Sequence, residues 1–137
     1  MVDNLSPVER SSLMRRVRGK DTKPEIAVRR VAHALGYRFR LHRRDLPGSP
    51  DIVFPKLRKA IFVHGCYWHR HDCKKATVPK SNVSFWQNKF EANIERDRRN
   101  LVSLSEMGWL TMIVWQCETE KEENIAEMIS NFLGSTQ

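Results

Sequence analysis

The chain predicts an α/β fold in which a mixed β-sheet is flanked by helices, and three observations carry that expectation. Segments of helical and strand periodicity follow one another in the order α-α-β-β-β-α-β-α. One short segment, Ala60–His64, is apolar through Val63, which suits a central strand covered on both faces. The 137 residues suffice for one modest core and are too few for two. We therefore expect a basic arm with a short helix over residues 1–20 and a single domain over 21–137.

In the arm, Ser6-Pro7 marks a helix entry, and Leu13, Met14 and Val17 supply a little apolar surface. Arg15, Arg16, Arg18 and Lys20 then flank Gly19. Such a cluster is either a solvated arm or a phosphate contact, and four cations in six residues favour phosphate. Thr22 and Glu25 stand in capping-box spacing, with Ile26, Val31, Ala34 and Leu35 at helical intervals before Gly36 stops the helix.

Strand-like segments follow at Tyr37–Leu41 and Asp51–Phe54, separated by Leu46-Pro47-Gly48-Ser49-Pro50. After Ala60–His64, a cysteine- and histidine-rich loop runs to about Pro79. Ser84, with Gln87 at capping-box spacing, opens a long helix whose core stripe is Phe90, Ile94, Leu101, Leu104 and Met107. Gly108 ends it, and its charged centre, Glu95-Arg96-Asp97-Arg98-Arg99, reads for the most part as a solvated face. Trp109–Trp115 is the fourth strand, and Thr119–Leu133 a closing helix terminated by Gly134. Phe62, Trp109 and Trp115 are read as core residues on strands.

A formal charge of +8 and a pI near 9.8 are the footprint of a polyanionic partner. Three cysteines cannot all pair within one chain, and no charged-then-apolar leader opens the sequence. No apolar run approaches the ~20 residues of a membrane helix. The expectation is a cytoplasmic protein with reduced thiols and no membrane partner.

The densest chemistry lies in Val63-His64-Gly65-Cys66-Tyr67-Trp68-His69-Arg70-His71-Asp72-Cys73. Cys66, His71, Cys73 and Cys117 form a set that uses every cysteine and matches the ligands of a closed, tetrahedral structural zinc site. Cys66-x4-His71-x-Cys73 can fold back as a loop, and Cys117 follows the last strand. His69 competes with His71 for the histidine position, and spacing leaves both open. Ordinary buried thiols are the plainer alternative, but a loop with Arg70, His71, Asp72, Lys74 and Lys75 has little apolar material to bury them.

Asp51 follows Gly-Ser-Pro at a strand start, where a carboxylate is either a turn residue or a holder of Mg²⁺. His64 and His69 shift the balance, because imidazoles move protons near neutrality. Two imidazoles, a carboxylate and a basic surface suit metal-assisted phosphodiester hydrolysis. Glu25 could hold a metal-bound water, in competition with capping its helix.

Asp51, His64-Gly65-Cys66, Tyr67-Trp68-His69-x-His71-x-Cys73, Phe85-Trp86, Glu95-Arg96-Asp97-Arg98-Arg99, Gly108-Trp109 and Ile113-Val114-Trp115-x-Cys117 together resemble the very short patch repair (Vsr) DNA mismatch endonucleases. The resemblance runs from about Arg10 to Leu133. It implies a restriction-endonuclease-like fold without the second acidic residue and lysine of the usual nuclease motif, and here Ile61, Phe62 and Val63 fill that strand. It implies Mg²⁺-dependent nicking of double-stranded DNA on the 5′ side of the thymine in a T:G mismatch left by deamination of 5-methylcytosine. Asp51 would hold Mg²⁺ with the backbone carbonyl of Val63, His69 would activate water, and His64 would assist at the phosphate. Glu25 would hold metal-bound waters, and Cys66, His71, Cys73 and Cys117 structural Zn²⁺. Tyr67, Trp68 and Trp86 match the positions of intercalating aromatics, a use of wedges that a weakly stacked mismatch favours. Val63 departs from the family's common threonine. The resemblance also implies a monomer at the prokaryotic nucleoid, with mismatch-repair proteins as partners. Two rivals remain: a restriction- or homing-type nickase of the same fold, and a non-catalytic zinc module that binds DNA through its arm.

Overall fold

The computed structural model describes residues 22–66, 69, 71, 73 and 80–134. The basic cluster Arg15, Arg16, Arg18 and Lys20 and the loop aromatics Tyr67 and Trp68 lie outside the described residues.

Helix α1 (Lys23–Ala34) starts where the sequence places a cap: Thr22 is extended, and its Oγ1 accepts the Glu25 N–H at 3.4 Å. The helix closes in a Schellman turn. Gly36 takes φ 90° and donates to the His33 carbonyl, while Tyr37 donates to that of Ala32. Val28, Val31 and Ala32 form its buried stripe, and Glu25, only 1 % exposed, lies on the same stripe. Ala34 and Leu35, expected inside, are exposed at the helix end.

Strands β1 (Arg40–Leu41), β2 (Ile52–Phe54) and β3 (Lys59–His64) pair antiparallel, and β4 (Leu110–Trp115) pairs parallel to β3. A parallel neighbour needs a crossover, and helix α2 (Val83–Glu106) lies in the connection between β3 and β4. A 3₁₀ turn (Gln116–Glu120) precedes α3 (Glu122–Gly134), so the closing helix begins later than its sequence pattern suggests. The first strand is shorter than expected. Tyr37 and Phe39 pack edge-on against Phe54 at 6.2 and 6.0 Å instead of extending the ladder.

Period-2 alternation explains the two cores. Ile52, Phe54, Ile61 and Val114 face α1 and α3, meeting Val28, Ile125, Ile129 and Leu133. Val53, Ala60 and Phe62 face the other way, toward Leu104 and Trp109, with Leu101 packed alongside. At the entry of α2, the backbone of Asn82 is left-handed (φ 53°) and its side chain makes no capping bond. Val83 is the first helical residue, so Ser84 falls inside the first turn instead of capping it. Ile94 and Met107 are exposed, which leaves Phe90, Leu101 and Leu104 as the part of the expected stripe that packs inward. Among the described residues no helix is long and apolar enough to cross a membrane.

Candidate active site

Asp51 enters β2 from a turn pressed against α2. Gly48 has φ 77°, and a Cβ there would meet the Asn100 side chain at 3.0 Å, so conformation and space both demand glycine. Pairing of Leu41 with Ile52 brings the exit of β1 beside Asp51, and the His42 N–H donates to the Asp51 carbonyl at 3.1 Å. The Asp51 side chain faces β3, where its Oδ2 accepts the Val63 N–H at 2.7 Å. Burial pushes the carboxyl up to about 7. The Val63 N–H opposes that rise, nearby Glu25 adds to it, and His69 and Arg29 oppose it in turn.

A second layer stands behind Asp51. The Glu25 carboxylate pairs with Arg29 one helical turn on and lies 2.9 Å from His42 Nε2. His42 Nδ1 is 4.0 Å from Asp51 Oδ1. Glu25, His42 and Asp51 each offer a donor atom within 4.8 Å of the others, as a bound cation requires.

The imidazole pair is built from the end of β3, the loop beyond it and the middle of α2. The rings of His64 and His69 stack at 3.8 Å and 9°. His69 Nδ1 lies 2.5 Å from Asp97 Oδ2. Burial alone would raise the Asp97 carboxyl, but the bond to His69, with the imidazoles and Arg96 nearby, outweighs it and holds the carboxyl below its ordinary value. An ionised Asp97 accepts a hydrogen bond from Nδ1–H, which leaves His69 Nε2 as the nitrogen able to accept a proton. His64 is 6 % exposed, and burial, with His69 beside it, drops its pKa to about 3. It is a neutral imidazole at pH 7. Its Nδ1 has no hydrogen-bond partner among the described residues. Parallel stacking also bears on whether the pair shares a metal. Imidazole lone pairs lie in the ring plane, so an ion midway between the rings would sit well out of both planes. The geometry suits proton transfer and hydrogen bonding better.

The thiols gather beyond the imidazoles. Cys66 is fully buried just after β3, and Cys117 follows β4, whose parallel register pairs His64 with Trp115. Cys66 Sγ and Cys117 Sγ stand 3.7 and 3.5 Å from His71 Nδ1, and the Cys117 N–H donates to Cys66 Sγ at 3.4 Å. With Cys73, one donor atom of each lies within 4.8 Å of the rest. A tetrahedral zinc with its usual bond lengths separates sulfur and nitrogen donors by about 3.6 Å, so the set could hold such an ion as it stands. Burial, then the neighbouring sulfurs, pushes the Cys117 thiol up to about 12, a cost that a bound dication removes. The structure thus brings His71 to the thiols and His69 to Asp97. Stacking of His71 on Trp115 at 4.3 Å and 16° holds its ring beside the thiols.

Trp86 lies in the first turn of α2, half-buried and stacked on Phe90 at 6.1 Å, with the exposed Phe85 edge-on at 5.3 Å. Sequence reasoning missed three contributors: Asp97, Arg29 and His42. Asp97 had a signal. It stands seven residues from both Phe90 and Leu104, in line with the buried stripe, where a solvated charge does not belong. Arg29 stands one turn after Glu25, on the stripe's flank. His42 follows a strand and leaves no periodic trace.

A buried carboxylate grouped with an imidazole and a second carboxylate, and a separate imidazole pair with its own carboxylate, on a chain of charge +8, suit phosphodiester hydrolysis on nucleic acid. Residues 2–75 match the family described as DNA mismatch endonuclease Vsr. The chain is 50 % identical over 133 residues to the type II nicking enzyme V.XorIIP of Xanthomonas oryzae pv. oryzae, covering 97 % of this chain and 98 % of that protein. It is 36 % identical over 133 residues to the type II nicking enzyme V.NmeAIP of Neisseria meningitidis, over 97 % and 95 % of the two chains. It is 38 % identical over 127 residues to the DNA mismatch endonuclease Vsr of Escherichia coli, over 93 % and 81 %. The chain belongs to the Vsr DNA mismatch endonuclease family and is a DNA endonuclease.

Proposed function

We propose that the protein nicks one strand of double-stranded DNA at a T:G mismatch, using Mg²⁺ at Asp51 and proton transfer by His69. The observation that carries this reading is the Asp97–His69 pair stacked on His64, the residue after Val63, whose N–H holds the Asp51 carboxylate at 2.7 Å. Family membership adds the substrate class and a restriction-endonuclease-like fold, consistent with an antiparallel β1–β2–β3 set joined by a parallel β4. When bound, Mg²⁺ supplies charge neutralisation and polarisation of the scissile phosphate. The Val63 N–H orients one Asp51 oxygen and leaves the other toward the centre, with the Val63 carbonyl as the proposed second donor. His69 Nε2 accepts the proton of the attacking water, and Asp97 stabilises the imidazolium that results. His64, uncharged, donates a hydrogen bond near the phosphate. Glu25, held by Arg29, accepts a hydrogen bond from water at the same centre. The test is single-turnover nicking of T:G and matched duplexes across flanking sequences, with and without Mg²⁺. Equal nicking of matched sites would instead favour a nickase directed by sequence alone, the reading suggested by relatives named as nicking enzymes. Binding without any nicking would leave the non-catalytic module.

Cys66, His71, Cys73 and Cys117 are proposed to hold one structural Zn²⁺. Elemental analysis of purified protein should give about one zinc per chain. Cys117→Ser should release it and lower the melting temperature by several degrees, because metal binding here contributes folding energy. A folded, zinc-free wild-type sample would remove the assignment.

For DNA contact, the arm and Trp86 are proposed to act differently. Neutralising Arg15, Arg16, Arg18 and Lys20 together should weaken binding to all duplexes alike and reduce the slope of log affinity against log salt by up to ~4. Trp86→Ala should cost more affinity on T:G duplexes than on matched ones, since a wedge gains most where stacking yields. Equal losses on both duplexes would return Trp86 to a packing role against Phe90.

A further inference from the structure

His42 lies in direct contact with the Asp51 centre. Three features place it there. Its N–H is bonded to the Asp51 carbonyl, which fixes the two backbones relative to one another. Its φ of 51° is left-handed, a conformation a histidine adopts at a cost, so the surroundings hold it there. Its ring lies between two carboxylates, with Nε2 2.9 Å from Glu25 Oε2 and Nδ1 4.0 Å from Asp51 Oδ1. Donors on an octahedral cation with bonds of about 2.1 Å are separated by about 3.0 Å when adjacent and about 4.2 Å when opposite. His42 Nδ1 and Asp51 Oδ1, 4.0 Å apart, match the opposite spacing, while Nε2 turns away on the far side of the ring and is held by Glu25 at 2.9 Å, the arrangement of a ligand histidine oriented by a carboxylate.

We infer that His42, through Nδ1, is a protein ligand of the cation at Asp51, making the centre a carboxylate–imidazole site in which this nitrogen strengthens binding of a first-row divalent cation such as Mn²⁺ more than binding of Mg²⁺. The inference rests on the proposed nuclease centre and specifies its metal class. Charge and donor type both support it. Arg29 pairs with Glu25 and lies 3.2 Å from His42 Nε2, so one of the two carboxylate charges is already compensated. Mg²⁺ binds through charge and oxygen donors and keeps its waters, and it gains little from a neutral nitrogen. First-row transition cations accept imidazole and gain affinity from it. The donor set therefore adds affinity for Mn²⁺ without adding negative charge.

Mn²⁺ is also the practical probe, because thiolates select softer ions and the cysteine cluster does not compete for it. The full-length protein loaded with one Mn²⁺ should show electron spin-echo modulation from a directly bound imidazole nitrogen. His42→Asn should abolish that modulation, lower Mn²⁺ affinity by about tenfold or more, and change Mg²⁺ affinity by less than about threefold. Asparagine tolerates the left-handed backbone, so this variant should fold, and His42→Gln with a matched melting curve provides a second check. If nitrogen modulation persists in both variants, the imidazole comes from elsewhere and His42 is not a ligand. If Mn²⁺ binds through Asp51 with no nitrogen modulation in the wild type, the His42 inference fails while the Asp51 centre stands. If Mn²⁺ and Mg²⁺ binding both survive Asp51→Ala, the centre itself is misplaced.

Discussion

Asp51→Ala is expected to abolish nicking of a T:G duplex while leaving mismatch binding in metal-free buffer intact. Asp51 is the carboxylate that faces both the Val63 amide and the Glu25–His42 pair, and the charge of Glu25 beside it is already compensated by Arg29. Single-turnover nicking and a gel-shift on the same duplex separate the two effects. Nicking at the parental rate would place the active site elsewhere. A pH effect accompanies it. Because burial lifts this carboxyl to about 7, a proton competes with the cation below that pH, and apparent Mg²⁺ affinity should fall by about tenfold per pH unit on acidification. The sign for stability is opposite to that of an ordinary surface aspartate. Between about pH 4 and 7 the folded, metal-free chain binds more protons at this position than the unfolded chain, so this group's contribution declines as pH rises. Metal-free Asp51→Asn should therefore melt higher than wild type at pH 8 and close to it at pH 5. The reverse order would mean the carboxylate is already compensated without a cation.

His69→Ala is expected to slow nicking by ~10²–10⁴-fold and to leave a residue of metal-dependent activity that rises with pH as hydroxide takes the place of the base. Asp97→Asn offers the aim of the imidazole a separate test. An amide can present its N–H to Nδ1, which moves the ring proton to Nε2 and removes the acceptor facing the water. Loss on the order of 10²-fold or more is expected, without the gain at high pH that follows from deleting the ring. Wild-type rates in both variants at neutral pH would exclude the dyad as the base.

Much of the fold was legible because its periodicities are strong. Ala60–His64 reads as a central strand and is one, buried on both faces between two cores. The thiol set also followed from counting, since three cysteines and one loop leave few ways to combine. What stayed hidden depends on which side of an element faces inward. Glu25 was visible as a capping residue and as a candidate holder of metal-bound water, but not as a carboxylate buried against Arg29 and His42. Asp97 was masked by its charged neighbours, although its register with Phe90 and Leu104 was on the page. Ser84 satisfied a capping pattern two residues too late, because left-handed Asn82 starts the helix without a side-chain cap. His42 carries no pattern at all. Its position follows from antiparallel pairing between two strands of two and three residues, a long-range contact that local sequence does not encode.

Trp115 gives the two centres a common clock. Its indole stacks flat on His71 of the thiol cluster and presents an edge to His64 at 5.3 Å and to His69 at 6.4 Å. The imidazoles proposed to handle protons therefore rest on a ring that also packs against the thiol cluster on its other side. Two chelators should then stop the enzyme on different timescales. One that strips the weakly held cation at Asp51 should act within mixing time and be reversed at once by adding the metal back. One that extracts zinc must wait for the cluster to open, so activity should fade slowly. It should return only as fast as His71 and the thiols gather again beside Trp115.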